Sequence, residues 1–173
     1  MKNVRWAAGA LLALGACTGR DLSGPASPEL RNPELRANAS VANAAQGVVY
    51  TMSNAVAGNS VLSFNSAADG SLSAGPVYPT GGAGSGGGLS SQGALILAAN
   101  GRYLIAVNAG SNDISVFAVT AGGLRFVGVT ASGGVRPVSV TERRGIAYVL
   151  NGGGTNNITG FTFDGDGNLA LIP

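Results

Sequence analysis

An all-β fold, built from one unit repeated three times, is the class this sequence predicts. Three observations carry the prediction. Of 173 residues, 29 are glycine, scattered between apolar runs as turns between strands require. Only 10% of the residues are charged and 45% are hydrophobic, which separates the chain from disordered acidic or basic proteins. A pattern of asparagine, phenylalanine and leucine then recurs three times between residues 48 and 169.

The first segment is residues 1–16. Lys2 and Arg5 precede an uncharged, mostly apolar run from Trp6 to Ala16. That run is short of the roughly 20 residues a permanent span needs, and it suits the apolar core of a secretory signal. It ends in Leu14-Gly15-Ala16-Cys17, which resembles the bacterial lipobox. The resemblance implies that 1–16 is a lipoprotein signal peptide, removed to leave a lipidated Cys17 as the mature N-terminus. It also implies a partner, the membrane, and an extracytoplasmic, lipid-anchored place in a bacterial cell envelope. Thr18 after the cysteine, where an aspartate would signal inner-membrane retention, favours the outer membrane of a two-membrane cell. The lone cysteine has no intrachain disulfide partner.

Residues 17–46 read as a flexible linker. "GPASPELRNPELRANAS" holds three prolines and no apolar periodicity that could support a core. As a flexible coil it would set the folded part roughly 30 Å from its anchor.

Residues 47–173 carry the repeat. "VVYTMSNAVAGNSVLSFNSAADGSL" (48–72), "YLIAVNAGSNDISVFAVTAGGL" (103–124) and "IAYVLNGGGTNNITGFTFDGDGNL" (146–169) align on Asn54, Asn108 and Asn151. They align again on Phe64, Phe117 and Phe161, and on Leu72, Leu124 and Leu169. The asparagines are 54 and 43 residues apart, a period suited to four-stranded propeller blades. "GALILAAN" (93–100) and "RPVSVTER" (136–143) supply a strand ahead of the second and third copies. With strands lettered A to D from the axis outward, the chain reads B-C-D, A-B-C-D, A-B-C-D. The expected domain is therefore a partial β-propeller of about three antiparallel four-stranded blades, the first lacking its inner strand. "LILAA", "YLIAV" and "ISVFAV" are near-continuous apolar runs, the mark of strands covered on both faces. Asp69-Gly70, Gly122-Gly123 and Asp164-Gly165 provide hairpin turns.

An open arc of blades leaves two end faces bare, each about 330 Å² from strand length and spacing. Soluble monomers seldom expose that much apolar surface. The chain is therefore expected to be an incomplete propeller, closed by further C-terminal blades or by self-association.

"LAANGRYLIAVNAGSNDISVFAV", with "SGGVRPVSV" and "YVLNGG" after it, resembles the seven-bladed β-propeller lactonase family over residues 47–173. That family includes 6-phosphogluconolactonase-like and carboxymuconate-cyclase-like proteins. The resemblance implies hydrolysis of a sugar or related lactone, with no cofactor, by a complete propeller. Seven blades at this period would take about 330 residues. The family's central-channel His, Glu and Arg residues match no position here, and the chain has no histidine, so no catalytic residue is carried over. The other reading is a non-catalytic surface propeller that binds glycan or protein.

Other chemistry is excluded residue by residue. From Cys17 onward eight arginines balance eight carboxylates, so no basic field draws in nucleic acid, and Arg143-Arg144 reads as a solvated turn. Without histidine there is no Ser-His-Asp or Cys-His arrangement and no zinc or iron site of the His/Cys kind. Gly82-Ala83-Gly84-Ser85-Gly86-Gly87 matches a dinucleotide fingerprint by letter alone and reads as a flexible inter-blade loop. Asp164-Gly165-Asp166-Gly167-Asn168 lacks the glycine and glutamate of a calcium loop and reads as a hairpin turn. No metal site is expected.

What remains is one polar rim. In a propeller the B–C turns and the D–A connections share a rim near the channel. They would gather Asn54, Gln92, Asn108, Asn112, Asp113, Arg136, Asn151 and Asn156. Asparagine amides there can hydrogen-bond sugar or lactone oxygens, and Arg136 can hold a carboxylate.

Overall fold

The structure, a computed structural model, describes residues 47–173. The signal peptide, the lipidation of Cys17 and the linker lie outside the described residues. Every regular element among the described residues is a strand. The first sheet has three strands, β1 (Val48–Met52), β2 (Ser60–Ser66) and β3 (Leu72–Pro79). The second runs β4 (Leu95–Ala98), β5 (Tyr103–Asn108), β6 (Asp113–Thr120), β7 (Gly123–Ala131). The third runs β8 (Val135–Arg143), β9 (Ile146–Gly153), β10 (Asn157–Phe163), β11 (Leu169–Leu171).

Each sheet is an antiparallel meander in chain order. This is the expected B-C-D, A-B-C-D, A-B-C-D order, three consecutive blades of an open propeller. Among the described residues, β1 has β2 on one side and no strand on the other.

Two apolar layers hold the sheets together. Val61, Leu104, Ala106 and Phe117 fill the seam between the first and second blades. Ile105, Val107, Val140, Ala147, Val149 and Phe161 lie in the core between the second and third. The period of two explains the division. Leu104 and Ala106 leave one face of β5, and Ile105 and Val107 leave the other. All six residues of β5 are buried as a result.

The repeat needs one correction of register. Asn108 pairs with Asp113 and Asn151 with Asn157, each closing a B–C turn. In the first blade the equivalent residue is Ser53, whose N–H donates to Ser60 O, rather than Asn54. The turn enclosed there is 54–59, longer than 109–112 or 152–156. Matching asparagine to asparagine therefore slipped by one position. "LILAA" is also less covered than expected: Leu97 stays 57% exposed, because the first blade has, among the described residues, no inner strand to lie against it.

Candidate functional site

The B–C turns and D–A connections do meet on one rim, and hydrogen bonds between them fix it. The connection from β3 to β4 starts at Thr80, whose N–H donates to Asn59 O (3.0 Å), and Asn59 N–H donates to Gly82 O (2.8 Å). Gly84 N–H donates to Ala55 O (2.8 Å) and Gly110 N–H to Ala83 O (2.9 Å). The glycine-rich stretch thus lies across two turns instead of forming a flexible loop. Glycine is required there by proximity: a Cβ on Gly84 would sit 2.1 Å from the Asn54 carbonyl carbon, and one on Gly110 would sit 2.2 Å from Gly84 O.

Beneath the turns runs a repeated polar seam. Asn108 is fully buried, and its Nδ2 donates to Asp113 Oδ1 (2.6 Å) and Ser115 Oγ (2.7 Å). Its Oδ1 accepts from Asn59 Nδ2 (2.9 Å), and Ser115 Oγ donates to Thr80 O (2.8 Å). Asn151 takes the same place in the third blade, its Nδ2 donating to Ser132 O and Thr159 Oγ1 (3.2 Å each). Asn151 Oδ1, however, is buried without a partner. The residue equivalent to Asn59 there is Asn112, and its Oδ1 accepts instead from Arg136 N–H (2.7 Å).

Thr80-Gly81-Gly82 and Ser132-Gly133-Gly134 are matching pieces of this seam. Gly81 and Gly133 have φ of 81° and 76°, open to glycine at no steric cost. A Cβ on Gly82 would lie 2.5 Å from Asn108 Nδ2, and one on Gly134 2.6 Å from Asn151 Nδ2. Sequence reading missed Asn59, Thr80, Ser115, Ser132 and Thr159. For Thr80 and Ser132 the signal was present: a hydroxyl residue followed by Gly-Gly after the D strands of the first two blades.

The candidate rim residues divide accordingly. Asn108 and Asn151 are buried braces and present no surface to a ligand, a correction that follows from the seam's need for satisfied buried amides. Asn54, at φ 48°, binds the glycine-rich stretch through Ser85 N–H (2.9 Å) and Gly87 O (2.6 Å). Asn112 and Asp113 are half-buried within the turn. Gln92, Asn156 and Arg136 are exposed. Arg136 holds φ 55° directly before Pro137, a position where the chain normally extends. Its guanidinium reaches Gly88 O (3.3 Å), so the side chain lies across the connection from β3 to β4.

A cleft of about 470 Å³ opens on this rim between the first two blades. Ala57, Gly58, Asn59, Gly82, Ala83 and Ser111 are among its walls. They offer backbone and amide hydrogen bonds and no titratable group. Among the described residues, no group of three or more His, Cys, Asp or Glu side chains is placed to hold a metal ion.

The chain was compared with known proteins. The family model described as "Lactonase, 7-bladed beta-propeller" matches residues 41–172. No curated protein matches significantly. Among solved structures, a Lactobacillus plantarum protein is similar at TM-score 0.55 and 23% identity, over 66% of this chain and 34% of that one. A functionally unknown protein from Desulfotomaculum acetoxidans gives 0.57 and 17%, over 74% and 41%. The periplasmic gluconolactonase of Pseudomonas aeruginosa gives 0.56 and 22%, over 73% and 38%. At these identities the likeness is one of fold. The chain spans about two fifths or less of each of these structures.

Proposed function

Since this chain belongs to the seven-bladed β-propeller lactonase family, we propose that it forms the first blades of a propeller that hydrolyses a sugar or related lactone. The observation that carries the reading is the family match, which extends over all three blades. The periplasmic gluconolactonase among its structural neighbours is in keeping with a lactone substrate and with a site outside the cytoplasm. In the reaction, a water oxygen adds to the lactone carbonyl carbon and the ring C–O bond breaks. The displaced alkoxide takes a proton, and a hydroxy acid is released. Arg136, Gln92 and Asn156 bind and orient: the guanidinium faces carbonyl or carboxylate oxygen, and the amides face sugar hydroxyls. The groups that move the proton belong to blades that complete the ring.

Completion comes from further blades or from a second copy, and Cys17 anchors the whole to the membrane. A panel of aldonolactones, followed by acid release in a pH-stat, tests the activity on the polypeptide with its ring complete. Arg136→Ala is expected to lower kcat/KM at least tenfold. Silence across the panel, with binding on a glycan array, would establish the non-catalytic surface propeller instead; the rim cleft without titratable groups favours that second reading. For the anchor, radiolabelled palmitate should enter the wild-type chain and not Cys17→Ser.

A further inference from the structure

On the rim opposite the candidate site, where A–B and C–D turns end, a cavity of about 720 Å³ lies between the second and third blades. Arg102, Arg143 and Arg144 line it, from the β4–β5 and β8–β9 turns. Residues 47–173 contain five arginines, no lysine and five carboxylates, so three fifths of the domain's positive charge meets in one cleft.

The cleft is also braced. The Glu142 carboxylate joins the turns of two blades, accepting from Ala99 N–H (2.8 Å) and Gly145 N–H (2.9 Å). Tyr103 Oη donates to Gly165 O (2.7 Å), tying down a third wall. Phe163 forms an apolar floor and meets Tyr103 edge to face, ring centres 5.3 Å apart.

The two carboxylates in the cleft accept hydrogen bonds from neighbouring amides. Both oxygens of Glu142 are taken by those amides. Asp164 Oδ1 accepts from Asp166 and Asn168 N–H (2.9 and 2.8 Å), and Oδ2 from Asn168 Nδ2 (2.9 Å). Arg102 lies over the Tyr103 ring at 5.8 Å, with Nε at 3.4 Å from Ala99 O, and Arg143 and Arg144 are exposed. The cleft therefore presents fork-shaped cationic donors from two sides against carboxylates already occupied.

We propose that this cleft binds a small polyanion carrying two or more carboxylate or phosphate groups, one held by Arg102 and another by Arg143 and Arg144. Planar guanidinium donors suit bidentate oxyanions. An extended polyanion such as nucleic acid is disfavoured, since outside the cleft only Arg125 and Arg136 stand against Asp69, Asp113 and Asp166. The inference is independent of the lactonase reading, because it concerns the other rim.

Isothermal titration calorimetry of the whole chain with citrate and with inorganic phosphate, at low ionic strength, tests it. Saturable binding is expected, weakened about tenfold in Arg143→Gln/Arg144→Gln, severalfold in Arg102→Gln, and unchanged in Arg125→Gln on β7. Arg144→Lys, which keeps the charge and loses the fork, should fall between, and its circular dichroism should match wild type. Tighter citrate marks a polycarboxylate ligand, and tighter phosphate a phosphorylated one. No saturable heat, equal affinity in all variants, or retention on a sulfated polysaccharide without citrate or phosphate binding would each overturn the proposal.

Discussion

The middle blade and its two neighbours carry B strands of similar greasiness and bury them unequally. β5, "YLIAVN", is buried at every residue. β9, "IAYVLNGG", hides Ala147 and Val149 and leaves Tyr148 and Leu150 51% and 42% exposed. β1, "VVYTM", is open along most of its length. The strands are written for cover on two faces, and cover depends on the neighbour. Tyr148, Ile158, Leu171 and Ile172, with Asn157 and Thr159, line a hollow of about 460 Å³ on the outer face of the third blade. That is where a further blade would dock.

The comparison can be broken most directly in the core. Ile105 and Tyr148 hold equivalent positions, three residues before the seam asparagine. Ile105→Ala should cost about 3 kcal/mol in urea unfolding, as a cavity between two sheets does. Tyr148→Ala should cost under about 0.5 kcal/mol in this chain, and about 3 kcal/mol once a further blade covers it. Equal costs in this chain would mean the outer face is already covered.

The polar seams sharpen it next. Asn108→Ala strands Asn59, Asp113 and Ser115 and should cost about 2–3 kcal/mol. Asn151→Ala should cost only about 1 kcal/mol, since it also removes an unpartnered buried oxygen. Equilibrium denaturation of the two variants side by side checks the order.

The smallest effect is with pH. Asp69 and Asp164 sit in the C–D turns of the outer blades, and the middle blade has Gly122-Gly123 instead. The Ser71 hydroxyl, then its N–H, hold the Asp69 carboxyl below the ordinary 3.8, and the Asn168 amide, then its N–H, do so for Asp164. Folded values below unfolded ones give stability that is present above pH 3.8 and lost as pH falls from there through the folded values. Hydrogen-exchange protection, taken against the intrinsic rate at each pH, should therefore fall below pH 3.8 at β2–β3 and β10–β11, and not at β6–β7. Asp69→Asn and Asp164→Asn should remove the difference.

Blade order was legible because hairpin meanders leave local marks: apolar run, turn, phenylalanine, turn, leucine. The first blade slipped by one residue because a longer turn carries Asn54 past the position Ser53 occupies. The rim was legible as a place and not as a set of roles. Whether an asparagine faces solvent or braces a seam depends on residues distant in the chain, as when Asn59 Nδ2 reaches Asn108, 49 positions on. The glycine at 84 looked like slack in the chain, since close approach by a distant backbone leaves no mark in local sequence.

Among the described residues one side of β1 is unpaired, and that has a consequence in time. A chain made head first delivers this sheet before any later segment can reach it. Its row of free amides and carbonyls then waits through the rest of synthesis, open to pairing with a neighbouring copy. Yield should thus depend on a holdase that shields the newcomer, and crowding of nascent chains should favour fibrils over closed rings.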